Sequence, residues 1–103
     1  MEPIDERLVE RVDQYFDLIF IDADKPGYPE YLRLSLQLSR RGTIILADNV
    51  IRNGSVLDET SGDANAQGIR AYNDAIARHP QLGSVIIPMI REKLDGMSIS
   101  VVK

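Results

Sequence analysis

The chain has 103 residues, 44% hydrophobic and 27% charged, with a formal net charge of −4 and no cysteine. That length holds one domain at most, and the composition is that of a globular chain rather than a disordered or fibrous one. Without cysteine there are no disulfides, thiolate metal sites or Cys nucleophile; without an apolar run of bilayer length or a Lys/Arg cluster, neither membrane nor nucleic acid is an expected partner.

The N-terminus, Met1-Glu2-Pro3-Ile4-Asp5, lacks the basic and apolar regions of a signal peptide, so the expected compartment is the cytoplasm. Residues 4–15 have helical spacing at Leu8, Val9, Val12 and Tyr15, with Asp5 as the cap and Ile4 stapling against Val9. In the stretch from Phe16, Leu18, Ile19, Phe20 and Ile21 form a continuous apolar run, the mark of a strand covered on both faces in a parallel sheet. Asp22-Ala23-Asp24-Lys25-Pro26-Gly27 stops it.

Residues 29–39 carry Leu32, Leu34, Leu36 and Leu38 in strict alternation, which also fits a half-buried strand. Helix is the better reading: Leu, Arg and Gln are good helix formers, no β-branched residue intervenes, and Pro29 suits a first turn. A second apolar strand, Gly42 to Leu46, needs such a crossover to run parallel to the first. It ends in Ala47-Asp48-Asn49.

Val50 to Gly62 has little periodicity and reads as a loop. Residues 64–78 form a helix capped by Asp63 and ended by Pro80, with Ile69, Tyr72 and Ile76 on one face. Gly68 weakens its first half. Two strands close the chain, about Ser84 to Ile90 and Met97 to Val102, with Asp95-Gly96 as the turn between them. Pro88 marks the first of these as an edge strand.

Two acidic strand ends, Asp22 with Asp24 and Asp48 with Asn49, are separated by one crossover and should lie side by side. Ligands of open α/β sheets bind outside the carboxyl ends of the strands. Close carboxylates either share a proton or hold a cation, and a set of oxygens selects a hard ion such as Mg²⁺ or Ca²⁺. Either signal alone is more often a turn or a helix cap. Together, after neighbouring parallel strands, they favour the cation. Lys25 by composition is a solvated turn residue, His79 a helix-terminus residue, and the leucines of 29–39 are core.

Taken together, FDLIFIDADKPGY, GTIILADNVIRNGSV and DGMSISVVK resemble the cation-dependent O-methyltransferases, the family of the caffeoyl-CoA and catechol enzymes and their bacterial relatives. The resemblance runs from about Tyr15 to Lys103. It implies an α/β fold: the C-terminal half of a Rossmann-like methyltransferase sheet, with two parallel strands, a terminal antiparallel hairpin and flanking helices. It implies S-adenosylmethionine and a divalent cation as cofactors and a small, catechol-like molecule as acceptor. Asp22, Asp48 and Asn49 become the metal ligands, Lys25 the base, and Asp22 and Asn53 the acceptor contacts. Asp22 and Asp24 offer negative charge to the cationic donor. Lys25 would take the proton if desolvation lowers its pKa.

Three features depart from the family pattern. There is no glycine-rich strand-to-helix turn, so residues 1–103 form a single partial domain without most of the cofactor half. Arg52 stands where plant caffeoyl-CoA enzymes tend to have an aromatic residue, and Ile90 to Leu94 is longer than in many bacterial relatives. The strand at 16–22 then has an apolar edge without a partner, from which self-association, or a second polypeptide supplying the missing strands, is expected. Two other functions fit the same residues. One is a Mg²⁺-dependent phosphatase of the haloacid dehalogenase type, with Asp22 as nucleophile and Asp24 as acid/base. The other is a non-catalytic assembly or regulatory piece.

Overall fold

Four strands make one sheet in the computed structural model, which describes residues 15–51, 62–90 and 94–103. The elements in chain order are β1 (Phe16–Ile21), a 3-10 turn (Lys25–Gly27), α1 (Tyr28–Gln37), β2 (Ser39–Ala47), α2 (Ala64–Arg78), β3 (Leu82–Ile90) and β4 (Leu94–Val102). The strand order is β1-β2-β4-β3. β1 and β2 are parallel, and β4 lies antiparallel between β2 and β3. The expected parallel pair, crossover helix and terminal hairpin are all present, and β3 with its Pro88 is an edge strand.

The alternating leucines resolve as helix because both strands they join are parallel. Leu32, Leu34 and Leu38 are buried and Leu36 is partly so, packed against the core. β2 begins at Ser39 rather than Gly42. Phe16 pairs with Ser39 but Leu18 with Ile44, so β2 carries extra residues in a bulge. Gly42 sits there at φ 93, a conformation that a side chain rarely adopts. Thr43 pins the bulge: its hydroxyl donates to the Phe16 carbonyl at 2.6 Å and accepts from the Arg40 N–H at 2.9 Å.

One expectation is corrected. Asp95 and Gly96 do not make the hairpin turn; they are ladder residues, opposite Met89 and Pro88, and Ile90 pairs with Leu94. Asp95 is held in the ladder by hydrogen bonds described below, which a turn at that point would break. The connection at 91–93 is outside the described residues. So are residues 1–14, where a helix was expected, and 52–61, most of the expected loop, which includes Arg52 and Asn53.

α1 and α2 cover one face of the sheet. Ile19, Ile21, Ile45 and Ala47 point into that core, where they meet Tyr28, Leu32, Leu38, Ile69, Tyr72 and Ile76. Tyr28 and Tyr72 pack edge to face, centroids 5.5 Å apart. The alternate residues Leu18, Phe20, Ile44, Val85, Ile87 and Val101 lie on the opposite face and are exposed.

Candidate active site at the strand ends

Ile21 pairs with Ala47 in the parallel ladder, so the next residues, Asp22 and Asp48, leave the same edge of the sheet side by side. The Asp48 N–H donates to the Ile21 carbonyl at 3.2 Å, carrying the pairing one step past the strands. Asn49 then takes φ 61, the left-handed region that asparagine tolerates better than most residues. Its backbone N–H donates to Asp48 Oδ1 at 2.8 Å, and its side-chain Nδ2 donates to Asp95 Oδ2 at 2.8 Å. Asp22 accepts from Lys25 on Oδ1. Among the described residues, Asp22 Oδ2, Asp48 Oδ2 and Asn49 Oδ1 have no hydrogen-bond donor.

Those atoms are all oxygen, from two carboxylates and one amide, a donor set that suits a hard divalent cation. Among the described residues no cluster of three or more His, Cys, Asp or Glu is present. Among the described residues, a cation at this edge would therefore draw on Asn49 beside the two carboxylates.

Lys25 stands over this edge from the 3-10 turn. Its ammonium donates to Tyr28 Oη at 3.0 Å and to Asp22 Oδ1 at 3.3 Å, and lies 5.0 Å from the Tyr28 ring centroid. Tyr28 is fully buried; its hydroxyl donates to the carbonyl of Asp48 at 2.9 Å and approaches that of Ile21 at 3.4 Å. It thereby joins both strand ends to the lysine. Burial pulls the Lys25 pKa down, but its hydrogen bonds and charge interactions with Tyr28 and Asp22 outweigh burial and hold it above the ordinary value. The condition for Lys25 as a ready base is therefore not met by these residues alone. Burial also pushes the Tyr28 phenol up, against the pull of Lys25.

Gly68 explains how α2 reaches this turn. A Cβ at that position would collide with the Lys25 carbonyl and with Pro26 Cα, so only glycine lets the helix sit against the turn. The residue that weakened the helix in sequence is what brings it to the site.

Asp24 is fully engaged in local structure. One oxygen accepts the Tyr31 hydroxyl and the other the Gly27 N–H at 3.1 Å, capping the 3-10 turn. It contributes charge, with no oxygen free for acid/base work of the phosphatase kind. Three contributors escaped the sequence reading: Tyr28, Asp95 and Asn73. Asn73 on α2 donates to the Val50 carbonyl at 3.0 Å and steadies the chain just past the site. Tyr28 lies three residues after Lys25, close enough for that contact to have been anticipated; Asp95 was hidden by its resemblance to a turn residue.

The family model described as O-methyltransferase matches residues 2–101. The chain is 48% identical over 98 residues to the catechol O-methyltransferase of Niastella koreensis, covering 94% of this chain and 44% of that protein. It is 39% identical over 104 residues to a probable caffeoyl-CoA O-methyltransferase 1 of Dictyostelium discoideum, covering 96% and 44%. An O-methyltransferase from Bacillus cereus, solved in complex with SAH, superposes with a TM-score of 0.88 at 41% identity, covering 94% of this chain and 45% of that one. The α/β sheet is that of the solved O-methyltransferase it superposes on, and the chain belongs to the O-methyltransferase family. It spans less than half the length of these relatives. Membership removes the phosphatase alternative.

Proposed function

We propose that this chain is the metal- and acceptor-binding part of an S-adenosylmethionine-dependent, divalent-cation-dependent O-methyltransferase, a single partial domain. The observation that supports it most is the side-by-side exit of Asp22 and Asp48 from paired strands, with Asn49 next to them. In this reading Asp22, Asp48 and Asn49 hold a Mg²⁺ or Ca²⁺ ion. When bound, such an ion supplies Lewis acidity that lowers the pKa of an acceptor hydroxyl, and its charge opposes the ammonium form of a neighbouring lysine.

The acceptor is a small molecule with a reactive hydroxyl, of catechol type, contacted by Asp22 and by Asn53, which lies outside the described residues. Lys25, held by Tyr28 at the edge of the site, is the group that takes up the acceptor proton. Asp22 and Asp24 place negative charge toward the sulfonium of the donor, Asp24 through its field, because both its oxygens are already hydrogen-bonded. Methyl transfer is then mainly a matter of in-line positioning. S-adenosylmethionine chemistry on a cysteine-free chain fits the cytoplasm, with no role for membrane or nucleic acid; among the described residues no helix is long and apolar enough to cross a membrane.

Among the described residues, the exposed apolar face and the edge position of β1 favour one companion reading, that the chain works in association, with a second copy or with a polypeptide supplying further strands. Calorimetric titration with S-adenosylmethionine, with and without Mg²⁺, tests the main proposal. Donor binding that strengthens with Mg²⁺ supports it. No donor binding with Mg²⁺ present assigns the chain to the non-catalytic assembly role instead.

A further inference from the structure

We propose that Asp95 is a positioning residue for the cation site, one that turns the Asn49 amide so that its oxygen, rather than its nitrogen, is the end left for an ion. The proposal rests on the reading of Asn49 as a ligand. Asp95 sits on β4, the strand beside β2, and is half-buried. Its Oδ2 accepts from Asn49 Nδ2 at 2.8 Å, while Oδ1 accepts from the N–H of Gly96 at 2.8 Å and of Ile51 at 3.3 Å. An ionised carboxylate only accepts hydrogen bonds, so the nitrogen is the one end of the amide that can face it. Oδ1 is left as the free end.

The rest of the geometry points the same way. Asn49 is clamped twice, by Asp48 on its backbone N–H and by Asp95 on its side chain, which fixes an otherwise adaptable residue in a left-handed conformation. The Val50 N–H donates to the Gly96 carbonyl at 3.0 Å, so the segment after Asn49 is laid along β4 beside Asp95. Gly96 permits that approach, since a Cβ there would run into the Ile51 side chain. Asp95 is not a further ligand of the same ion, because among the described residues no three acids form a common group. It acts on the cation through Asn49, as partners behind metal ligands commonly do. The terminal hairpin thus takes part in the site that β1 and β2 build.

The test is Mg²⁺ titration of the full chain by calorimetry, together with the ¹⁵N-resolved side-chain amide signal of Asn49. Asp95→Asn is expected to weaken Mg²⁺ binding about tenfold and to shift the Asn49 side-chain amide signals. In an Asn49→Ala background the same change should add nothing, because its effect passes through Asn49. Glu30→Gln, on the exposed side of α1, should bind as the parent does. If Asp95→Asn binds Mg²⁺ normally while Asp48→Ala does not, the proposal is overturned and the cation site stands. Losses that add in the double variant also overturn it. Absence of Mg²⁺ binding in the parent chain overturns the ligand reading and this proposal with it. Should Asp95→Asn not fold, Asp95→Ser, which keeps an acceptor for the Gly96 N–H, is judged by the same outcomes.

Discussion

The two faces of the sheet are built from the same strands yet differ sharply. On the helix-covered face Ile19, Ile21, Ile45 and Ala47 are 0–5% exposed; on the other, Leu18, Phe20, Ile44 and Val101 are 36–58% exposed. Strand alternation makes these neighbours in sequence, so the contrast comes from what packs on each face. The covered face explains the site: α1 brings Tyr28, α2 brings Gly68 and Asn73, and together they set the turn that carries Lys25. The exposed face adds to the edge of β1 from which a partner was expected, since strands apolar on both sides belong to sheets covered on both sides.

The largest effect that would sharpen this comparison is in the covered core. Ile45→Ala should cost about 2–5 kcal/mol in denaturant unfolding, whereas Ile44→Ala, one residue away on the bare face, should cost under about 1 kcal/mol. Equal losses would break the distinction between the faces. Next comes alkaline pH. Burial pushes the Tyr72 phenol up to about 12, so the folded chain keeps a proton that the unfolded chain gives up near pH 10. Stability present below pH 10 should therefore fall as pH rises towards 12, by about 2–3 kcal/mol. Tyr72→Phe should remove most of that slope.

Gly68→Ala should cost about 1–3 kcal/mol through overpacking against the Lys25 turn. It should also shift the backbone amide signals of Lys25 and Gly27, and unchanged signals would separate α2 from the site. The smallest effect on stability is predicted for Leu18→Lys on the bare face, within about 0.5 kcal/mol. That substitution should nevertheless convert an associating parent chain to monomer in sedimentation. A parent chain that is already monomeric when dilute would contradict the association reading.

Much of this arrangement is legible in the residues. The apolar run to Ile21, the parallel partner ending at Ala47 and the acids that follow can be read directly, because strand period and turn chemistry are local. The helix over the alternating leucines is legible through its helix-forming residues, Pro29 and the crossover that parallel strands need, since its spacing alone also allows a strand. What escapes is long-range. Asp95-Gly96 has the local look of a hairpin turn, whereas its pairing with Met89 and Pro88 and its bonds to Asn49 and Ile51, more than forty positions away, place it in the ladder. Lys25 as base called for a pKa lowered by desolvation, and that condition depends on two hydrogen-bond partners, which set the direction instead. Gly68 carried a local signal of helix weakness, whereas its use is a close contact with a turn far back in the chain.

Backbone amide NMR during titration with Mn²⁺, a hard ion that broadens nearby signals, tests the central assignment most directly. Selective loss of the signals of Asp22, Asp48 and Asn49, with those of Leu82 to Ser84 at the far edge of the sheet unchanged, is the predicted result. Broadening that spares these three residues, or that spreads evenly over the acidic surface, would contradict it.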